Sequence, residues 1–402
     1  MSKNADPPSG SPRRRVSARA RPTAPLGAAG APRPPTPASA PRATTVVGPA
    51  APPDPAAPSG SPARPRAPAP VPLPGAPPRR PRRPAAAQDT AGVILVTGIC
   101  GRLGRLVARV LHRGGHPLDD ARVVGIDRRP FDGRPKDIVH HQFDLRRKKT
   151  RDVFRSANVR AVVHLGVMHD LRASDKEHHS WNVAGFQKLL DYLAEFGTPK
   201  LIVLSSANVY GPQPDNPQFL TEEAPLLGAQ SFSQIRDLVE VDMLAQSFFW
   251  RHPATETVIL RPCHILGAVR NAPSNFLRLE RPLTVLGYDP MVQVIHERDV
   301  VHAIVLALAP GVRGIFNLKG PGEVPLSRLL RLLDRRPVPV PGPLAETALS
   351  RLFRYRLTSF PAPELDHIRY VCMVDDARAR STLGFAPRYG LEETARAVFD
   401  ER

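Results

Sequence analysis

Aromatic residues are absent from the first 90 positions of this 402-residue chain, and cysteine and tryptophan are scarce throughout. Those 90 residues hold 25 of the 48 prolines, with 14 Lys/Arg against 3 Asp/Glu, so they carry +11 of the formal +19 charge and leave +8 to the remainder. A stretch so poor in large apolar side chains cannot offset its ordering entropy, and its prolines favour extended backbone. Residues 1–90 are therefore expected to form a disordered Pro/Ala/Arg-rich tail. Its charge would permit contact with nucleic acid or anionic lipid. Its arginines are scattered among proline and alanine with no ring to stack on a base, so nucleic-acid contact is not expected.

Three cysteines, Cys100, Cys263 and Cys372, are too few and too scattered for a disulfide framework or a metal cluster. His178-His179 have no third ligand at metal-binding spacing, so no metal is expected. No apolar run of signal-peptide length opens the chain, and none is long enough to span a bilayer. The expectation is a cytoplasmic protein with no membrane association.

From Gly92 onward, short apolar runs alternate with helical patterns. Strands are expected at Val93–Thr97, Arg122–Asp127, Ile138–Phe143, Ala161–Leu165, Leu201–Ser205, Thr257–Arg261 and Gly314–Leu318, and helices at Arg102–Arg113, Trp181–Phe196 and Arg236–Trp250. Continuous apolar runs suit strands buried on both faces of a parallel sheet. The series predicts an α/β fold, a Rossmann-type doubly wound parallel sheet, with ligand at the carboxyl ends of its strands. After Arg261 the rhythm breaks. Residues 91–262, with 295–318 returning to them, are expected to form the nucleotide-binding domain, and 263–294 with 319–402 a smaller substrate-binding lobe.

The first expected strand runs directly into Gly98, Gly101, Arg102, Leu103 and Gly104. Glycines at this spacing provide a tight turn, close approach of backbone to a pyrophosphate, and close packing of helix on strand. The helix N-terminus then presents unpaired N–H groups to the phosphates. Asp127 ends the next strand, 23 residues beyond Gly104, where a carboxylate can accept hydrogen bonds from both ribose hydroxyls. That favours NAD over NADP, although Arg128 and Arg129 could instead pair with a 2′-phosphate. Asp144-Leu145 either borders the adenine or caps a loop.

Taken in order, TGICGRLG (97–104), HLG (164–166), WNVAG (181–185), SSANVYG (205–211), RPCHILG (261–267) and VDDARARSTLGFAP (374–387) resemble the extended short-chain dehydrogenase/reductases, the NAD-dependent epimerase/dehydratase group that includes UDP-glucose 4-epimerase-like proteins. The resemblance covers about Val93 to Phe399. It implies that Leu165, Gly166, Ser205 and Pro262 line the cofactor and that Asn182 lies near it. Ser206 matches the residue that donates a hydrogen bond to the substrate oxygen; the alternative for both serines is strand-end capping. A sugar nucleotide or similar polar small molecule is the implied substrate, and a homodimer is a possible assembly. Leu238, Val241, Phe248 and Phe249 serve either that dimer or the core.

One departure matters. The family's proton-transfer unit is a tyrosine with a lysine four residues later and often a glutamate four beyond. Setting Glu240 as that glutamate puts Arg236 at the lysine position and Phe232 at the tyrosine position, 26 residues after Ser206. A phenyl ring has no proton to exchange, and arginine keeps its charge where lysine has a tunable pKa. His169, beside Asp170, is a substitute acid/base by residue type. His164, Tyr210 and His264 also follow expected strands, and Arg270, Asn275, Arg278 and His296 are candidate substrate contacts. Two readings stay open: an enzyme with a substitute acid/base, or a dinucleotide-binding sensor or scaffold.

Overall fold

The computed structural model describes residues 92–167, 174–230, 233–354 and 362–400. The expected tail, His169-Asp170 and Phe232 lie outside the described residues.

Seven strands form one parallel sheet: β1 (Gly92–Thr97), β2 (Arg122–Asp127), β3 (Val139–Gln142), β4 (Asn158–His164), β5 (Lys200–Leu204), β6 (Glu256–Pro262) and β11 (Gly314–Leu318), in the order β11-β6-β5-β4-β1-β2-β3. The remaining strands are β7 (His264–Leu266), β8 (Leu283–Val285), β9 (Met291–Val292), β10 (Val294–His296), β12 (Val324–Pro325) and β13 (Val338–Val340). The helices are α1 (Arg102–Arg113), α2 (Lys149–Ser156), α3 (Asp175–His179), α4 (Gly185–Phe196), α5 (Ser233–Arg251), α6 (Ala272–Arg278), α7 (Glu297–Ala307), α8 (Leu326–Leu332), α9 (Gly342–Arg354), α10 (Ala377–Leu383) and α11 (Leu391–Arg396).

Burial on both sheet faces explains the unbroken apolar runs. In β1, Ile94 and Val96 enter a core shared with α1 and α7, while Val93 and Leu95 enter the opposite core beneath α2, α4 and α5. Side chains two residues apart share a face, so one strand feeds both layers. This is a Rossmann-type α/β fold, and chain order reverses between β1 and β4, which opens a crevice at their carboxyl ends. Beyond β6, β7 pairs with β10, β8 with β13 and β9 with β12. Around them a separate core gathers Leu266, Phe276, Leu277, Val294, Leu329 and Leu330. The C-terminal segment then returns to the main sheet: Val374 bridges Leu220, and Ala379, Leu383 and Phe385 join the α1/α7 core.

Several element bounds differ from the sequence expectation, among them β3 (Val139–Gln142 for Ile138–Phe143), α5 (Ser233–Arg251 for Arg236–Trp250), β4 and α4. β4 begins three residues earlier than Ala161, its register against β1 slipping between Val93 and Ile94. The helix expected from Trp181 opens as a π turn over Ser180–Ala184 before α4 begins. Such widened turns are rare in helices and frequent at functional sites. Here the indole N–H of Trp181 donates to the carbonyl of Gly166, 3.0 Å away, at the end of β4.

A buried polar network ties α5 to the sheet. Arg261 on β6 donates to both oxygens of Asp242 on α5, at 2.9 and 2.7 Å, and to the Tyr210 hydroxyl at 2.8 Å. The Ser205 hydroxyl donates to Asp242 at 2.6 Å, and Tyr210 donates to Asn317 on β11 at 2.7 Å. Arg261 and Asp242 are almost wholly excluded from solvent, at 1% and 0% exposure. Removing one partner of such a pair leaves a buried uncompensated charge, whereas replacing both with apolar groups can be nearly neutral. Asp242→Ala is therefore expected to lose about 3–5 kcal/mol of stability in urea unfolding, and Asp242→Leu combined with Arg261→Met to lose clearly less.

The apolar side chains of α5 that could serve either core or dimer are accounted for within the chain. Leu238, Val241 and Phe248 lie in the two sheet cores, and Phe249 sits under the Arg313 guanidinium, 4.0 Å from its ring centroid. Met243 and Trp250 are the α5 residues that present large apolar surface to solvent. Among the described residues no helix is long and apolar enough to cross a membrane.

Candidate functional site

The β1–α1 turn leaves no room for a side chain at Gly98 or Gly104. Gly98 has φ +72°, and a Cβ there would lie 2.7 Å from the Leu165 carbonyl oxygen. A Cβ on Gly104 would meet the Gly98 carbonyl at 2.4 Å and Ile99 Cα at 2.7 Å. Gly101 donates its N–H to the Gly98 carbonyl at 3.0 Å, and a Cβ there would stand 3.2 Å from that oxygen. The strand thus turns sharply into α1, whose first N–H groups face the switch point between β1 and β4. Leu103 is half-buried beside the turn and packs against the α1/α7 core.

Asp127 stands at the end of β2, almost fully buried. It accepts the Cys100 N–H at 3.0 Å, the Arg129 N–H at 3.0 Å, and two bonds from the Arg129 guanidinium at 3.1 and 3.0 Å. Burial is the largest single influence and works to raise its pKa, but the Arg129 and Cys100 hydrogen bonds together hold it below the ordinary aspartate value. The Cys100 thiol is pushed the other way, to about 11, by burial and by Asp127. It remains protonated and unreactive in the turn.

The other cations along the crevice are also engaged. Arg102, the first residue of α1, is held by Glu297 at the start of α7, with a closest approach of 2.6 Å. Arg146 forks onto Asp144 at 3.0 and 2.5 Å and donates to Ser180 at 2.8 Å. The guanidinium carbons of Arg128 and Arg146 lie 5.0 and 5.3 Å from the Trp181 ring centroid. Through the indole bond to Gly166, these contacts connect the ends of β2, β3 and β4. Apart from the Arg146–Asp144 pair, two residues apart, these contacts were not visible as a local pattern, because their partners are separated by tens of residues.

At the next strand ends, Ser205 is committed to Asp242, and Ser206 caps the following 3-10 turn by accepting the Asn208 N–H at 3.1 Å. Leu165 and Gly166 are half-buried beside the glycine turn, Leu145 is buried, and Pro262 is buried at the end of β6. Asn182 is buried in the π turn. Arg236 is exposed on α5, next to the buried Asp237. Tyr210 is enclosed by Arg261 and Asn317, and burial pushes its hydroxyl up to about 12. Of the candidate substrate contacts, Arg278 is spent on the carbonyls of Val398, Gly267 and Val269. His296 caps α7 and stacks on Tyr389 with ring centroids 3.9 Å apart. Arg278 also donates to Asn275 at 3.0 Å, and Arg270 is exposed.

These features define a Rossmann-type protein whose crevice at the switch point is shaped for backbone contact with a ligand. The model of the NAD dependent epimerase/dehydratase family matches residues 94–318, and the chain belongs to that family. It is 29% identical over 309 residues to an uncharacterized protein of Mycobacterium tuberculosis, covering 74% of this chain and 80% of that one. It is 25% identical over 244 residues to the UDP-glucose 4-epimerase of Dictyostelium discoideum, covering 53% and 69%. Among solved structures, the UDP-glucose 4-epimerase of Thermotoga maritima with UDP-glucose superposes with a TM-score of 0.60 at 19% identity, covering 76% of this chain and 97% of that one. The dTDP-glucose 4,6-dehydratase of Bacillus anthracis in complex with NAD gives 0.58 at 16% identity, covering 77% and 95%.

His164 shares a buried hydrogen bond of 2.8 Å with Thr97 Oγ1, and burial lowers its pKa to about 4. The unfolded chain, with an ordinary value of about 6.5, binds one more proton than the folded chain between these limits. The stabilisation is therefore complete above about pH 6.5 and declines as pH falls toward the folded value. Replacing His164 with Asn should make the decline shallower between pH 6 and 5 by up to about 1.4 kcal/mol per pH unit, read from urea unfolding at each pH.

Proposed function

We propose that this protein binds NAD at the β1–α1 turn and acts as an epimerase/dehydratase-like oxidoreductase on a sugar nucleotide or similar polar small molecule. The observation that carries the reading is the turn itself: Gly98 and Gly104 exclude a Cβ and Gly101 leaves one only tight room, at the switch point, with a buried aspartate at the end of the neighbouring strand. A bound nicotinamide dinucleotide would supply a hydride acceptor and donor. Gly98, Gly101, Arg102, Leu103 and Gly104 would hold its pyrophosphate largely through backbone N–H groups. Asp127 would anchor the adenosine ribose, Asp144 and Leu145 would border the adenine, and Leu165, Gly166, Ser205 and Pro262 would line the rest. NAD is favoured over NADP because the Asp127 carboxylate repels a 2′-phosphate, and Arg129 is already engaged with that carboxylate at both oxygens. The Arg128 contact with Trp181 occupies the other neighbouring cation.

In this reading Ser206 keeps its oxygen as acceptor of the Asn208 N–H and donates its O–H to the substrate oxygen. Oxidising a secondary alcohol also requires a group to take the O–H proton as hydride leaves. Phe232 at the tyrosine position cannot, and Arg236 can support the nicotinamide ribose but not tune a proton transfer. That leaves His169 as the candidate substitute by residue type. A second reading, a dinucleotide-binding sensor or scaffold, is favoured by one observation: the hydroxyls of Ser205 and Tyr210 at the neighbouring strand ends are locked into the Asp242–Arg261 network. Pairing of two copies through α5 and its neighbour helix would use the exposed Met243 and Trp250.

Calorimetric titration should show NAD binding more tightly than NADP, with the preference narrowed in Asp127→Ala. Gly101→Val should weaken both dinucleotides while leaving secondary structure intact. Failure of both to bind the parent would remove the cofactor assignment. Against a panel of sugar nucleotides, formation of reduced cofactor, read by its ultraviolet absorbance, supports the enzyme; tight binding without turnover supports the sensor. Phe232→Tyr with Arg236→Lys should raise any turnover by roughly 100-fold or more, the usual worth of a positioned acid/base.

A further inference from the structure

We propose that His179, Asp237 and Glu240 form a binding site for one divalent transition metal ion of the zinc class, which clamps the end of α3 to the first turns of α5. His179 is the last residue of α3, while Asp237 and Glu240 are three apart on α5 and so share a face. The fold brings them together: His179 Nδ1 lies 3.2 Å from an Asp237 oxygen and 3.7 Å from a Glu240 oxygen. One donor atom from each residue falls within 4.8 Å of the others. Tetrahedral zinc with bonds of about 2.0–2.2 Å places its ligands roughly 3.3–3.6 Å apart, and the two His179 distances fall on either side of that spacing.

A second observation points to a cation. Asp237 is only 2% exposed, and its second carboxylate oxygen has no hydrogen-bond partner among the described residues. The unpartnered atom is Oδ2, while Oδ1 faces His179, so an ion held by both Asp237 oxygens would remove the deficit of this half-satisfied buried carboxylate. Two carboxylates facing a single imidazole also leave excess negative charge. An imidazole donor selects zinc-like ions over magnesium or calcium, which prefer oxygen ligands. His179 and Glu240 are each about half exposed, with side-chain values of 53% and 45%, so the site is open to an ion and to water as a fourth ligand.

The test is titration of the chelator-treated full chain with Zn²⁺, followed by calorimetry and by thermal unfolding. One equivalent should bind saturably at micromolar or lower concentration and raise the melting temperature, with millimolar Mg²⁺ unable to compete. Loss of even an outer partner of a metal ligand costs about 10–100-fold in affinity, so His179→Ala and Glu240→Gln should each weaken binding by at least about tenfold. Both residues are half exposed, so the metal-free variants should melt close to the parent; if one does not fold, the other decides. Absence of saturable binding, or binding of equal affinity in the folded variants, would overturn the proposal and leave His179 as an ordinary ion-pair partner of Asp237.

Discussion

The contact between Arg261 and Asp242 joins three parts of the molecule that must agree before a site can exist. Arg261 belongs to β6, Asp242 to α5, and their shared neighbours Ser205 and Tyr210 follow β5. Asn317 extends the chain of bonds to β11, and Glu222 accepts the Asn317 N–H at 2.8 Å. A buried charge pair is a poor source of net stability, since desolvation offsets most of its attraction. Its value here is geometric, because the network's bonds tie α5 to the ends of β5 and β6. Arg236, Asp237 and Glu240 ride on that helix, so their position relative to the crevice follows from the same bonds.

The crevice shows a related economy of charge. Arg102, Arg129 and Arg146 each face a carboxylate, Glu297, Asp127 and Asp144, so the chain's surplus of basic residues is not concentrated at the glycine turn. A phosphate there would meet backbone N–H groups and a helix N-terminus, with arginines released only by exchange of one anionic partner for another. Trp181 lies between Arg128 and Arg146 and is anchored to Gly166, so three strand ends are coupled through one indole.

Much of the sheet was legible because buried parallel strands write themselves as short apolar runs. Arg122–Asp127 and Gly314–Leu318 match the observed strands end to end, and Arg102–Arg113 matches α1. The glycine turn was legible for a similar reason: its geometry is local, set by backbone freedom at Gly98 and by the room left at Gly104. The π turn at Ser180–Ala184 was not, since no local pattern marks it, and its Trp181 reaches a partner, Gly166, fifteen residues away. His178-His179 lacked a third ligand in the local sequence, yet Asp237 and Glu240 arrive beside His179 from a helix some sixty residues later.

What the amino-acid sequence by itself determined was the alternation of strand and helix and the glycine turn with Asp127 at the end of the next strand. These depend on residue type and on spacing within one βα unit, which short-range physics sets. What only the tertiary structure decided was the commitment of each polar group. Tyr210 is a buried strut bonded to Asn317, Arg129 is the partner of Asp127, and Asp237 faces His179 with an oxygen to spare. Such pairings join residues that are distant in the chain or add no local periodicity, so packing and desolvation select them after the backbone topology is set.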